Sequence, residues 1–242
     1  SDIGVWSATT SDAVSPDVYT YDFSVDGLKV FDPKNAQSKE SNSGYSNMFE
    51  VSGNENDFQA LKDVPHGRVE KVLYKSETLD GVTRRLHVYL PPNYDESQVL
   101  PVLYLLHGGG DNDASWTTAG RANLILDNLY AEGTIEPMIV VMPAGHTHIP
   151  GFFMGAGYEQ DPACRDLVHS VIPFIEANYP VQADREHRAI AGLSMGGIQT
   201  INTALWNPML FSYVFPMSTG YFPPNIIDIK ENYKEVMTNK EI

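Results

Sequence analysis

Cysteine is almost absent from this chain of 242 residues: Cys164 stands alone, so no intramolecular disulfide can form and cysteines cannot build a zinc site. Basic residues are also scarce, because 16 Lys and Arg face 31 Asp and Glu, and the formal net charge is −15. A charge of this sign repels phosphate backbones and anionic lipid surfaces, so we expect no nucleic-acid partner. Apolar runs such as 99–106 and 138–142 fall far short of the ~20 residues of a membrane-spanning helix, so we expect no membrane partner.

The chain also has no basic start followed by an apolar stretch, so a secretion signal is either absent or already removed. What is present is typical of a folded protein. Hydrophobic residues make up 42% of the chain and charged residues 19%, which is enough for a sizeable core in one or two globular domains.

Residues 1–62 have the character of a small all-β module, or of part of one. The runs 4–10 and 17–25 are rich in Val, Thr, Tyr and Phe, as strands are. The dipeptide Asp26-Gly27 after the second run indicates a hairpin. The segment 33–47 is polar and punctuated by glycine and serine, which predicts a loop.

Residues 63–242 alternate between strand-like and helix-like segments, which predicts an α/β domain with a mostly parallel sheet and helices on both faces. Asp161-Pro162 offers an N-cap followed by proline at the first helical position, so a helix is expected to begin there. The predicted strands are 69–75, 84–90, 101–106, 137–142, 187–191 and 213–217, and the other predicted helices are 120–131 and 195–206.

A candidate nucleophile lies in the sequence Gly-Leu-Ser-Met-Gly-Gly at 192–197, between a predicted strand and a predicted helix. This is the context of a nucleophile elbow, in which a sharp turn flanked by small residues exposes the serine. Ser194 would be the nucleophile, and the start of the following helix would direct its free N–H groups towards the reacting centre. The alternative is a glycine-rich turn without chemistry.

A second motif, His107 followed by three glycines, comes directly after the buried strand 101–106. Glycines allow the backbone to approach a substrate carbonyl closely, so that a main-chain N–H can stabilise the developing oxyanion. We predict that the N–H groups of Gly109 and Met195 form this oxyanion hole. The alternative is a glycine turn shaped only for packing.

Four separated motifs resemble one known family: LLHGGG, PMIVVMPAGH, DLVHSVIPFIEANYP and AGLSMGG. Together they are similar to the esterase D and feruloyl esterase branch of the α/β-hydrolases, grouped as carbohydrate esterase family 1, over residues 68–220. The first part of the chain resembles the C-terminal half of the immunoglobulin-like, CBM48-type module that precedes many of these esterases. In this family the ring of His107 would brace the oxyanion loop.

The resemblance implies a secreted or periplasmic serine esterase without a cofactor. It would cleave feruloyl or acetyl esters from plant cell-wall xylan or its oligosaccharides through an acyl-enzyme. The alternatives are another esterase-D-like hydrolase or acyltransferase, such as a siderophore esterase, and a carbohydrate-binding protein whose hydrolase domain is inactive.

One mismatch stands against this resemblance. The triad order in α/β-hydrolases is Ser, then Asp or Glu, then His, yet no histidine follows Ser194 and the only later aspartate is Asp228. A serine hydroxyl is a poor nucleophile without a base, so we expect the triad Asp and His to be missing and this chain to be inactive by itself. We interpret it as a fragment truncated at both ends, completed by a partner chain or self-associating through an exposed sheet edge at 213–217.

Further candidates lie around the predicted site. Gly110, Trp116, His146 and Tyr158 are candidates for lining the substrate, whereas the alternative for the two aromatic side chains is packing. His146 and His148 form an H-x-H pair without an obvious third ligand, so we predict no metal. Trp6, Tyr19 and Tyr21 are candidates for a carbohydrate-stacking face. The alternative is packing in the core or between domains, which the alternation of 17–25 favours.

Overall fold

A computed structural model describes Thr9 and residues 11–147 and 157–219. Its first part contains two small antiparallel sheets. One has three strands in the order β1-β5-β4, and the other pairs β2 with β3. The strands are β1 (Asp17–Tyr21), β2 (Phe23–Val25), β3 (Leu28–Val30), β4 (Ser38–Ser41) and β5 (Gly44–Val51).

The predicted hairpin is confirmed, because Asp26 and Gly27 join β2 to β3 with φ angles of 51° and 81°. Both angles are left-handed, as a two-residue turn of type I′ requires. Tyr19 stacks on Phe49 with ring centroids 5.4 Å apart, so its packing role is also confirmed. The predicted strand 4–10 and Trp6 lie outside the described residues, apart from Thr9.

The prediction of a loop at 33–47 was wrong. Strand β4 and the first half of β5 occupy most of that segment, joined by a tight turn in which Ser41 Oγ donates to the carbonyl of Gly44. The strands are polar because much of their stabilisation comes from ladder hydrogen bonds and charged contacts. A prediction based on apolar alternation therefore misses them.

The rest of the described chain has an α/β fold around a six-stranded sheet in the order β11-β10-β8-β9-β7-β6. Three of its pairings are parallel, and those of β7 with β6 and with β9 are antiparallel. The strands are β6 (Arg68–Ser76), β7 (Val82–Leu90), β8 (Val102–Leu106), β9 (Ile139–Pro143), β10 (Arg188–Leu193) and β11 (Tyr213–Met217).

Helices cover both faces of this sheet. Helix α1 (Ala122–Ala131) packs on one face, while α2 (Pro162–Asp166), α3 (Ile172–Asn178) and α4 (Met195–Trp206) lie on the other. A π-helical turn, Leu167–Val171, joins α2 to α3. Short 3-10 helices occur at Asn54–Gln59, Tyr158–Gln160 and Arg185–His187.

The predicted helix starts agree with the structure. The Asp161 side chain accepts a hydrogen bond from the backbone N–H of Ala163, which confirms the predicted N-cap with Pro162 at the first helical position.

Strand β9 is buried along its whole length, because Ile139 and Val141 face the α2–α3 layer while Val140 and Met142 face α1. Such continuous burial explains its unbroken apolar run.

Strand β11 lies at one edge of the sheet within the described residues. Tyr213 and Phe215 are 54% and 55% exposed on it. An edge strand of this kind offers unpaired backbone groups, so self-association through it stays a prediction. Among 11–147 and 157–219, no helix is both long enough and apolar enough to cross a membrane.

A buried carboxylate ties helix α2 to the first two strands of the large sheet. Asp166 accepts hydrogen bonds from Tyr74 Oη at 2.6 Å and Ser76 Oγ at 2.5 Å, and it lies 3.0 Å from Nε of Arg84. We expect Asp166→Ala to lower the free energy of unfolding by about 3–5 kcal/mol, because it leaves a buried guanidinium without its partner.

Urea denaturation measures this loss, with Asp184→Ala as the matched control. Asp184 pairs with His187 at 2.7 Å, but both side chains are about half exposed. The Asp184 side chain also accepts a hydrogen bond from the backbone N–H of His187 and so caps the 3-10 helix Arg185–His187. We therefore expect a smaller loss in the control than in Asp166→Ala, because it removes only an exposed ion pair and a helix cap. Equal losses in the two variants would contradict the structural role of Asp166.

Candidate active site

Ser194 lies at a sharp turn between strand β10 and helix α4. Its backbone has φ 54° and ψ −109°, a sparsely populated conformation for a residue with a side chain. The side chain is exposed, although the residues after it are buried. This strained, exposed position is the geometry of a nucleophile elbow.

Glycines make that turn sterically feasible. A Cβ atom at Gly192 would lie 2.2 Å from the carbonyl oxygen of Gly196, and one at Gly196 would lie 2.7 Å from the carbonyl oxygen of Leu106. No side chain fits at these distances, so strand β10, helix α4 and the end of strand β8 approach each other only because both positions are glycine. The small residues around Ser194 therefore have a packing reason.

The glycine loop after strand β8 lies beside Ser194. A Cβ atom at Gly108 would lie 3.9 Å from Ser194 Cβ. The carbonyl of Gly108 accepts hydrogen bonds from His107 Nδ1 at 2.8 Å and from the backbone N–H of Asp111 at 3.1 Å. Because a trans peptide is planar, these two bonds also fix the direction of the Gly109 N–H on its opposite side.

His107 connects this loop to a second one. The backbone N–H of Gly145 donates to Nε2 of His107 at 2.8 Å, so that nitrogen accepts and Nδ1 carries the proton. Burial of the ring lowers its pKa below the ordinary value for histidine, which keeps it neutral. Since both nitrogens are engaged, His107 braces the loops and does not take a proton from Ser194.

Most other described histidines are also engaged with groups remote from Ser194. The contacts are His66 with Asp127 at 2.8 Å, His87 with Asp113 at 2.8 Å, His169 with Tyr158 at 3.2 Å and His187 with Asp184 at 2.7 Å. His148 and Asp228 lie outside the described residues.

The four candidate lining residues have different surroundings. Tyr158 is buried, and its ring stacks on that of Trp206 with centroids 5.7 Å apart, which favours the packing alternative. Trp116 is half-buried and packs against the α1 side of the core. His146 lies near the site, because its ring centroid is 5.4 Å from that of His107. Gly110 is in the glycine loop itself, where its carbonyl accepts from the N–H of Asn42.

Sequence reasoning missed a buried amide that supports the second loop. Nε2 of Gln199 donates to the carbonyl of Gly145 and to Oδ2 of Asp161, both at 3.2 Å. Burial raises the pKa of the Asp161 carboxyl. The only signal for this arrangement was a polar residue on the buried face of an apolar helix.

Within the described ranges, no three His, Cys, Asp or Glu side chains are grouped so that they could hold a metal ion.

Comparisons with known proteins agree with this geometry. The model of a family described as "Putative esterase" matches residues 76–234. The chain is 36% identical over 234 residues to an endo-1,4-beta-xylanase/feruloyl esterase of Xylanibacter ruminicola, an alignment that covers 94% of this chain and 32% of that protein. The chain thus spans about a third of this relative's length.

Two solved structures are similar to the chain as well. One is a CE1 ferulic acid esterase of Anaeromyces mucronatus in complex with ferulic acid, with a TM-score of 0.59 and 26% identity over 69% of this chain and 64% of that one. The other is an S954A mutant of the feruloyl esterase module from Clostridium thermocellum complexed with sinapinate. Its TM-score is 0.64, with 26% identity over 80% of this chain and 68% of that one.

The close approach at the elbow predicts a sharp difference between two glycines. Gly192→Ala places a Cβ atom 2.2 Å from a backbone oxygen, whereas Gly110→Ala meets nothing within 4 Å. We expect Gly192→Ala to lower the free energy of unfolding by more than about 3 kcal/mol, because the backbone must shift. Gly110→Ala should change it by less than about 1 kcal/mol in the same urea titration. Similar stability of the two variants would contradict the close approach.

The neutral state of His107 predicts a pH dependence of stability. Because its pKa is lower in the folded than in the unfolded chain, the unfolded chain takes up the proton first as the pH falls below about 6.5. The free energy of unfolding therefore falls as the pH decreases from about 6.5, and it levels off below the pKa that His107 has in the folded chain. We expect His107→Gln to lose less stability than the parent between about pH 7.5 and about pH 5. Urea denaturation at both pH values measures the change in unfolding free energy, and His187→Gln, at an exposed histidine, is the control. If His107→Gln shows the same pH dependence of stability as the parent, the prediction is wrong.

Proposed function

The chain belongs to this esterase family and is related to carboxylic ester hydrolases; from that premise we propose that it cleaves feruloyl or acetyl esters from plant cell-wall xylan, with Ser194 as nucleophile. The observation that carries the proposal is the exposed, strained Ser194 next to the oriented Gly108–Gly109 peptide. The choice of ester is supported by the similar proteins, which include an endo-1,4-beta-xylanase/feruloyl esterase and a CE1 ferulic acid esterase.

In the proposed reaction, Ser194 Oγ attacks the ester carbonyl carbon while a base accepts its proton. The carbonyl oxygen becomes an oxyanion that accepts hydrogen bonds from the N–H groups of Gly109 and Met195. The intermediate expels the sugar alcohol, which receives the proton from the base. Water then attacks the acyl-enzyme in the same manner, releasing the carboxylic acid and restoring the serine hydroxyl.

The base in this proposal is a histidine outside the described residues. The bonds of His66, His87, His107, His169 and His187 direct them to groups other than Ser194. His146 is held in the braced loop, where its backbone carbonyl accepts from Arg84 at 3.2 Å. The remaining candidates are His148 and any histidine of a flanking segment.

The proposed partner is feruloylated or acetylated xylan or its oligosaccharides, and a secreted or periplasmic location follows from the place of that polymer outside the cell. A carbohydrate-binding role for the first 62 residues, as a CBM48-like module, is part of the same proposal. The reaction as proposed needs no cofactor, because serine, a base and backbone donors supply all of its steps.

Replacing the nucleophile is the direct test. We expect Ser194→Ala to lower the rate of ferulate release from methyl ferulate by more than about 10³-fold, because the acyl-enzyme can no longer form. The matched control is Ser212→Ala, which removes another exposed serine hydroxyl outside the site. Release of ferulate is followed by chromatography.

The same assay locates the base and separates the alternatives. It is run on the 242-residue polypeptide and on the protein with its native flanking sequence. If the 242-residue polypeptide shows Ser194-dependent activity that His148→Ala abolishes, His148 is the base. If activity requires the flanking sequence, the base lies in that sequence. Preferred cleavage of a catecholate ester would favour a siderophore esterase. Xylan binding without turnover in either protein would favour a non-catalytic carbohydrate-binding protein.

A further inference from the structure

The β4–β5 hairpin lies directly against the loop that follows the three glycines. The backbone N–H of Asn42, at the tip of the hairpin, donates to the carbonyl of Gly110 at 3.3 Å. Lys39 Nζ lies 2.6 Å from Asp111 Oδ1, and both side chains are mostly buried. These contacts join two segments about seventy residues apart in the chain.

A charge network strengthens the same junction. Arg85 of strand β7 donates to Glu40 at 2.9 Å and binds both carboxylate oxygens of Asp113 at 2.6 and 2.8 Å. Burial alone would raise the pKa of the Asp113 carboxyl, but its interactions with the nearby His87 and Arg85 side chains outweigh burial and hold the pKa below its ordinary value. A bidentate contact of this kind has a defined geometry, so it fixes the hairpin relative to the loop.

Asp111 lies next to the catalytic elbow as well as to Lys39. A Cβ atom at Gly108 would lie 3.3 Å from Asp111 Oδ2 and 3.9 Å from Ser194 Cβ, so the carboxylate and the serine flank the same glycine. The N–H of Asp111 also donates to the Gly108 carbonyl, one of the two bonds that orient the Gly109 N–H. An unpaired carboxylate at this place would repel the oxyanion that forms on the substrate.

We propose that Lys39 is a positioning residue for the reaction at Ser194. It holds Asp111, and through it the Gly108–Gly109 peptide, and it neutralises the Asp111 carboxylate beside the glycine loop. The inference rests on the proposed function. Lys39 acts through Asp111 and touches no reacting atom. The N-terminal hairpin therefore contributes to the rate of the chemical step in addition to any role in binding polysaccharide.

The test compares Lys39→Met with Lys29→Met in the protein with its native flanking sequence. Lys29 also pairs with an aspartate, Asp22 at 3.0 Å, and donates to Ser46 Oγ at 3.2 Å. We expect Lys39→Met to lower kcat for methyl ferulate about tenfold with little change in KM, because the transition state is affected more than substrate binding. Amide hydrogen exchange in 107–121 should become faster in this variant, whereas Lys29→Met should behave as the parent does.

A second variant distinguishes a role through Asp111 from general loosening of the fold. Asp111→Asn added to Lys39→Met removes the charge while keeping the backbone N–H, so we expect it to recover most of the lost kcat. If the parent is active, two results would overturn this inference but leave the proposed function intact. One is that the double variant does not recover kcat. The other is that Lys39→Met changes neither kcat nor the rate of amide hydrogen exchange. A parent without Ser194-dependent hydrolysis would instead overturn the proposed function, and the kinetic role of Lys39 with it.

Discussion

The close approach of helix α4 to strand β10 is the constraint on which the rest of the site depends. That contact leaves no space for a side chain at Gly192, and the end of strand β8 leaves none at Gly196. Ser194 lies between these two glycines with a positive φ of 54°. Because β8 runs parallel to β10 as its neighbour, the loop that leaves β8 emerges at the same end of the sheet. Nucleophile and glycine loop therefore meet through sheet topology.

Neutral hydrogen bonds of His107 and Gln199 hold the loops around Ser194, and the ion pair of Lys39 with Asp111 lies beside them. His107 connects the glycine loop to the Gly145 loop, Gln199 of helix α4 supports the Gly145 loop, and burial lowers the pKa of His107. A fixed charge so close to the site would alter the stabilisation of an oxyanion more than a neutral dipole does. Asp111, a carboxylate beside the glycine loop, has the ammonium group of Lys39 against it.

Much of the α/β architecture could be predicted from the sequence, and the reasons are local. Helix α4 and strand β11 have their predicted bounds, and the N-cap at Asp161 and the hairpin at Asp26 were confirmed. Segments with apolar periodicity can be recognised in a sequence because each has one apolar face that packs against the core. The polar β4–β5 hairpin could not be predicted in this way, because its strands are stabilised by each other and by residues far along the chain.

The sequence by itself determined the α/β class, the elbow at Ser194 and the glycine loop after His107, since each depends on backbone preferences of a few consecutive residues. Only the tertiary structure decided which side chains meet there. It buried Tyr158 against Trp206, engaged both nitrogens of His107, and placed Lys39 beside Asp111. These contacts join residues separated by up to some seventy positions, and their geometry exists only once the sheet and its covering helices have packed.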